Sequence, residues 1–200
     1  GGGDPAGNPR LRTLIDKAKS INMPKENVKR AIQKGTGELP GVHYEQCMYE
    51  GYGPGGIAIL IEVLTDNKNR AVSELRHVFS KKGGNIAPGG SVSWMFSHKG
   101  VVKATNGSVS EDDILEKLLD FDVEDVIKDE KIFTVYCSPK ALNQIKKTLI
   151  ENGLTVEHAE IEWVAKDAHS APEGEEKRAV DFLHAIEELD DVQNLYTNLG

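Results

Sequence analysis

Cysteine is nearly absent. Cys47 and Cys137 are the only two in 200 residues, and neither belongs to a C-x-x-C pair. That excludes the common zinc ribbons and any disulfide framework. Both lie among alternating apolar residues, so buried free thiols are expected, in a reducing compartment. Aromatics are also scarce, 6% of the chain, and no segment carries the aromatic strand pattern of an RNA-recognition sheet. No apolar run approaches the roughly 20 residues that span a bilayer. The opening "GGGDPAGNPR" lacks the apolar stretch of a secretion signal, and its missing Met marks a processed or truncated chain. A cytoplasmic protein with no membrane partner is expected, the mitochondrial matrix being the other reducing compartment.

What is present is charge, unevenly distributed. The net charge is −8, which at first argues against a polyanionic partner. Yet residues 1–42 carry a net +4, residues 43–98 balance, and residues 99–170 and 171–200 each carry −6. Such asymmetry orients a protein on a polyanion.

Periodicity organises the chain as follows. Leu11, Leu14, Ile15 and Ala18 give a helix over 9–21, and Val28, Ala31 and Ile32 give a second after Pro24, stopped by Gly35. Residues 35–41 read as a linker. Residues 43–50 and 56–64 read as strands and 67–82 as a helix capped by Thr65 or Asp66, with Ala71, Val72, Leu75, Val78 and Phe79 inward. Residues 91–98 read as a further strand. Then come strand 100–105, helix 111–120 with Ser110 and Asp113 as a capping pair, strands 123–129 and 131–137, a helix after Pro139, and strand 154–165. This β-α-β-β-α-β order is ferredoxin-like. Helix 175–190 and strand 192–197 supply the α-β pair that the 42–98 segment lacks. The expected fold class is α+β: a helical hairpin over 1–41, a discontinuous α/β sandwich from 42–98 plus 171–200, and a ferredoxin-like sandwich inserted at 99–170.

Several motifs compete for a function. "GYGPGG" at 51–56 matches G-x-G-x-x-G. A dinucleotide loop must follow a strand and open a helix, whereas here a nine-residue apolar strand follows, and Pro54 removes an amide donor. The glycines instead read as a tight strand connection, able to approach a partner's backbone through Tyr52, Gly53, Pro54 and Gly55. His158, Glu160 and Glu162 alternate along one strand opposite Ala159, Ile161 and Trp163, which reads as a solvated face rather than a metal site. The acidic clusters at 111–113 and 173–176 sit at helix starts, where capping explains them without acid–base catalysis. No metal and no cofactor are expected.

The basic residues point elsewhere. Arg10, Arg12, Lys17, Lys19, Lys25, Lys29, Arg30 and Lys34 cover the helical hairpin. Their bland role is solubility and their functional one is phosphate contact, driven by counterion release. A second group, Lys68, Arg70, Lys81 and Lys82, flanks both ends of helix 67–82, with Asn67 and Asn69 beside it as hydrogen-bonding groups.

These segments resemble the YebC/PmpR family, which includes mitochondrial translational activators of cytochrome oxidase. The likeness rests on "GGGDPAGNPRLRTLIDKAKSINMPKENVKRAIQKGTGE", "YEGYGPGGIAILIEVLTDNKNRAVSELRHVFSKKGGN", "GSVSWMF" and "DDVQNLYTN". Residues 99–170 resemble the family in layout more than in letters. The resemblance implies three domains, the last inserted into the middle one, and a role without catalysis. For bacterial members that role is transcriptional regulation on DNA; for others it is translation at the ribosome, including relief of stalling on proline-containing stretches. Family members usually begin with a few tens of further basic residues, bearing Ser-Lys-Trp and Lys-His-Arg-type clusters, where this chain begins at Gly1-Gly2-Gly3. With such a segment the native charge is less negative than −8. The expectation is a monomeric, non-enzymatic DNA-binding regulator. The alternatives are a translation factor on ribosomal RNA and, more remotely, an enzyme using the glycine loops.

Overall fold

The computed structural model describes residues 2–37, 43–105, 111–130 and 132–200, apart from the side chains of Pro9, Arg10, Glu111 and Asp112. Ser110, read as a capping partner of Asp113, and most of the 35–41 linker therefore lie outside the described residues.

The first helix, α1 (Pro9–Ser20), starts where the Asn8 side chain accepts a hydrogen bond from the Leu11 amide at 3.1 Å. The second, α2 (Lys25–Thr36), runs through Gly35 and ends at Gly37, whose φ of 74° closes the last turn. Gly35 was expected to stop it. A lone helical glycine costs only about 1 kcal/mol against alanine, whereas termination needs the left-handed conformation that Gly37 supplies. The apolar stripes of the two helices face each other across an open groove of about 770 Å³. No residue of α2 is buried, so this hairpin has little core of its own.

Beyond it lie two four-stranded antiparallel sheets. The first orders its strands β3-β1-β2-β8, from β1 (Glu45–Tyr52), β2 (Ala58–Thr65), β3 (Asn85–Ala87) and the C-terminal β8 (Val192–Thr197). Helices α3 (Lys68–Lys82) and α6 (Glu176–Glu187) cover one face of it. The second orders β5-β6-β4-β7, from β4 (Phe96–Thr105), β5 (Val123–Asp129), β6 (Ile132–Cys137) and β7 (Thr155–Ala165). Helices α4 (Glu111–Leu118) and α5 (Leu142–Glu151) pack on it. That second order is the ferredoxin-like one; the first sheet reaches the same two-layer plan with a different chain order.

Alternation on β2 explains the middle of the molecule. Ile59, Ile61 and Val63 point to Ala71, Leu75 and Phe79 of α3 and Ala179, Phe182 and Ile186 of α6. Phe79 and Phe182 meet edge to face, 4.9 Å between centroids. Ala58 and Leu60 point the other way, into a small cluster with Val92 and Phe96, flanked by Trp163, Ala165 and Tyr196. Both faces of β2 are thus buried, and its other side meets residues of the second sheet.

Three local readings change. Residues 91–98 are not one strand: Ser93–Met95 form a 3-10 turn, and β4 runs unbroken from Phe96 to Thr105 through Gly100. Glycine there is required by crowding, since a Cβ at Gly100 would lie 2.7 Å from the Cys137 Sγ. The edge strand β3, only three residues long, occupies what reads in sequence as a glycine turn. Of the two free thiols Cys137 is buried, with burial pushing its pKa up to about 11, while Cys47 is only half-buried.

Close backbone packing in β1 is testable. A Cβ at Gly51 would meet Phe79 Cε1 at 2.5 Å and the Asn85 carbonyl at 2.8 Å, whereas one at Gly89 meets nothing within 4 Å. In urea unfolding, Gly51→Ala should cost about 1–3 kcal/mol and Gly89→Ala no more than about 0.5.

Candidate nucleic-acid interface

Each basic side chain has a different fate. Arg12 donates to the carbonyls of Pro5 (3.1 and 3.2 Å) and Ala6 (3.1 Å), pinning the N-terminal turn onto α1. Lys17 reaches Glu160 of β7 at 3.5 Å, and Lys19 pairs with Asp16 at 2.9 Å. The Arg10 side chain lies outside the described residues. Lys25, Lys29, Arg30 and Lys34 are exposed on α2 with no carboxylate partner among the described residues. They spread over the side of α2 away from Val28, Ala31 and Ile32, with Glu26 between them.

The second basic group divides in two. Arg70 is committed to structure: its guanidinium donates to Asp66 at 2.8 Å and to both oxygens of Asp191 at 2.9 Å. Asp191 is buried and also accepts from the Thr65 hydroxyl at 2.9 Å. This network ties the start of α3 to the residue before β8. The hydrogen bonds to Asp191 and then Asp66 hold Arg70 above its ordinary pKa. Lys68 pairs with Glu45, and its pKa is raised by that contact. Asn67, read as a hydrogen-bonding group for a partner, is instead the α3 cap, accepting from the Arg70 amide at 3.1 Å. Thr65 supports it by accepting from the Asn67 amide at 3.0 Å. Asn69 is exposed, as are Lys81 and Lys82 at the other end of α3, which have no ion pair among the described residues.

The glycine loop is occupied mainly by contacts within the fold. Pro54–Gly56 form a 3-10 turn joining β1 to β2, with Gly55 at φ 73°. It is the strand connection read from the sequence, and much of it is covered. Gly53 and Pro54 are buried and Gly55 is covered: a Cβ there would touch Ala171 at 3.1 Å and Pro172 at 3.2 Å. His169 Nε2 lies 2.8 Å from the Gly55 carbonyl oxygen, and the Tyr52 hydroxyl donates to the Ser91 carbonyl at 3.2 Å. The segment after β7 folds over the loop, so these four residues serve the fold.

Sequence reasoning missed the loop after β3. Glu50, buried at the end of β1, accepts hydrogen bonds from the amides of Gly90 (2.7 Å), Val92 (2.7 Å) and Ser93 (3.0 Å). Burial alone would raise its carboxyl, but the three amides outweigh burial and hold the pKa below the usual 4.5. The only signal in the sequence is a lone Glu before a glycine-rich strand end, which does not reveal its partners 40 residues away.

His158, Glu160 and Glu162 of β7 face Glu187 and Val192–Tyr196 across a crevice of about 440 Å³. His158 contacts Glu162, and Glu62 accepts from the Asn194 amide at 2.8 Å. Burial, then the Glu62 carboxylate, push the Tyr196 phenol well above its ordinary range. Among the described residues no group of three or more His, Cys, Asp or Glu is placed to hold a metal ion, and no helix is long and apolar enough to cross a membrane.

Two family models account for nearly the whole chain. "TACO1/YebC protein N-terminal domain" matches residues 1–38, and "TACO1/YebC second and third domain" matches residues 44–199. The chain belongs to the TACO1/YebC family. A TACO1/YebC relative from Nitrosococcus oceani, named "Probable transcriptional regulatory protein", is 50% identical over 198 residues, 98% of this chain and 79% of its own length. A similarly named protein of Chlorobaculum tepidum is 46% identical over 200 residues, covering 100% of this chain and 80% of its own. The crystal structure of a conserved hypothetical protein from Aquifex aeolicus superposes with a TM-score of 0.87 at 43% identity, over 100% of this chain and 83% of that one.

The Glu50 contact makes a pH signature in this TACO1/YebC chain. Its folded pKa is depressed, so the stabilisation is full above the unfolded value and fades as pH falls from about 4.5 through the folded pKa. Glu50→Gln should be less stable at pH 7 by about 1–3 kcal/mol. Thermal melts from pH 7 to pH 3 should show the gap to wild type narrowing below about 4.5.

Proposed function

We propose that this chain is a non-catalytic regulator that binds DNA through the cationic side of α2. The observation that supports it best is the contrast among its cations. Arg12, Lys17, Lys19, Lys68 and Arg70 are committed to internal contacts, while Lys25, Lys29, Arg30 and Lys34 lie together on one helix, exposed and without carboxylate partners among the described residues. A cluster left unpaired is available to displace counterions from a phosphate backbone. The naming of the Nitrosococcus oceani and Chlorobaculum tepidum relatives supports the regulatory part of the reading. We take residues 1–41 as the binding arm. Residues 42–98 with 171–200, and 99–170, are its scaffold, and Glu160 of the acidic crevice holds Lys17 of the arm. Engagement of ribosomal RNA through the same cations is the competing outcome.

Salt dependence tests the arm. Binding to a fluorescent duplex should weaken steeply as salt rises. Replacing Lys25, Lys29, Arg30 and Lys34 together with Ala should make the log–log slope shallower by about 3 to 4. A promoter fragment preferred over random duplex by about 10³ or more supports regulation on DNA. Co-sedimentation with ribosomes and no such preference supports the RNA reading. An unchanged slope moves the contact to the Lys81–Lys82 end of α3.

A further inference from the structure

Trp94 is 66% exposed, a large apolar surface to leave in water. The reason is visible in the loop that carries it. The Glu50 carboxylate anchors that loop from below through the amides of Gly90, Val92 and Ser93. Val92, between them in the chain, is fully buried in the cluster behind β2. The backbone under Trp94 is therefore fixed from two sides. The indole is fixed as well, because its Nε1–H donates to the Ser91 carbonyl at 2.9 Å. That hydrogen bond uses the only polar group an indole has. What remains to offer a partner is the π face.

The surroundings narrow the partner. Lys166, exposed, donates from Nζ to the Trp94 carbonyl at 2.7 Å, so a cation is tethered to the backbone that carries the ring. Gly89 and Gly90 before it are exposed and bear no side chains. Lys81 and Lys82 end the helix that precedes β3, and the Trp94 loop follows β3. The nearby Glu50 carboxylate is buried under its three amides, and Asp167, next to Lys166, is the adjoining exposed acid in the chain. An aromatic anchor for a protein partner usually sits among other apolar side chains. The groups fixed at Trp94 are instead the Ser91 carbonyl and the Lys166 ammonium, and Gly89 and Gly90 precede it, so a sugar–phosphate backbone can come close. Flat aromatic faces beside cations are how proteins hold unpaired bases.

We infer that Trp94, with Lys166 beside it, is a stacking platform for an unpaired base of a single-stranded nucleic acid. The inference rests on the nucleic-acid reading above and adds to it. The helical arm holds phosphates regardless of strandedness, whereas Trp94 selects for single-stranded segments, such as a melted duplex or an RNA loop.

Trp94 and Trp163 are the only tryptophans, so emission reports the site directly. The full chain is titrated with dT12, rU12 and a 12-base-pair duplex, following both tryptophan quenching and anisotropy of the labelled strand. Single strands should quench emission in wild type and in Trp163→Phe. Trp94→Ala should weaken their binding about 5- to 100-fold, the loss of one stacked base. Trp94→Phe should restore much of it, and duplex binding should change less than about twofold. Far-UV circular dichroism and thermal melts confirm that the variants are folded. Single-strand binding that is equally tight without Trp94, or emission from Trp163→Phe that single strands leave unchanged, overturns the platform while leaving the helical arm intact. Absence of binding to all three probes overturns the nucleic-acid reading itself. Loss of self-association in Trp94→Ala with no quenching by any strand identifies the ring as a protein contact and also overturns the platform.

Discussion

Everything in the middle of the molecule depends on one strand being dry on both sides. Ile59, Ile61 and Val63 of β2 hold α3 and α6, while Ala58 and Leu60 hold Val92 and Phe96. A half-buried strand would need polar residues on alternate positions; "AILIEVL" has one, Glu62, and it meets Asn194 and Tyr196 at the acidic crevice. Because both faces are used, the loop carrying Trp94 and the first residues of β4 are positioned by the same strand that organises the helical layer. Burying a leucine-sized side chain is worth about 1.5–3 kcal/mol, so each face contributes on the scale of the whole domain's net stability.

Electrostatics then divides the cations into two kinds. Arg70 closes a network with Asp66 and buried Asp191, joining segments more than a hundred residues apart in the chain. Removing one member of such a network leaves another desolvated and unpaired. Lys25, Lys29, Arg30 and Lys34 take no part in anything comparable, and their helix buries nothing fully. The charge imbalance along the chain leaves free cations on the helical arm and carboxylates lining the crevice between β7 and β8, where Lys17 of the arm meets Glu160.

Much of this was legible in periodicity. Leu142, Ile145 and Leu149 are spaced as a helix and are all buried, as are Ala179, Phe182 and Ile186. The β-α-β-β-α-β order was readable because each element there is long enough to show its own period. Several of the failures trace to contacts distant in sequence. Residues 85–87 are too short to show alternation, and pairing with β1 makes them a strand. Gly100 looks like a break, but crowding by Cys137 and Leu142 makes glycine the residue that fits. Asn67 and Arg70 look like surface groups until Asp191 and the α3 cap absorb them. Trp94 was hidden by the alternation of "SVSWMF", which imitates a strand. The family was legible in letters because the quoted segments are distinctive, although likeness alone says nothing about which lysines remain free.

The pairing of β4 with β7 carries one more consequence. Phe96 lies opposite Ala165, so the chain enters and leaves the second sheet through neighbouring strands, about 5 Å apart. Everything between those two residues is closed off at a doorway one hydrogen bond wide. Such a segment costs its host almost nothing in chain-closure entropy. The tryptophan loop lies just outside that doorway, immediately before Phe96 in the chain.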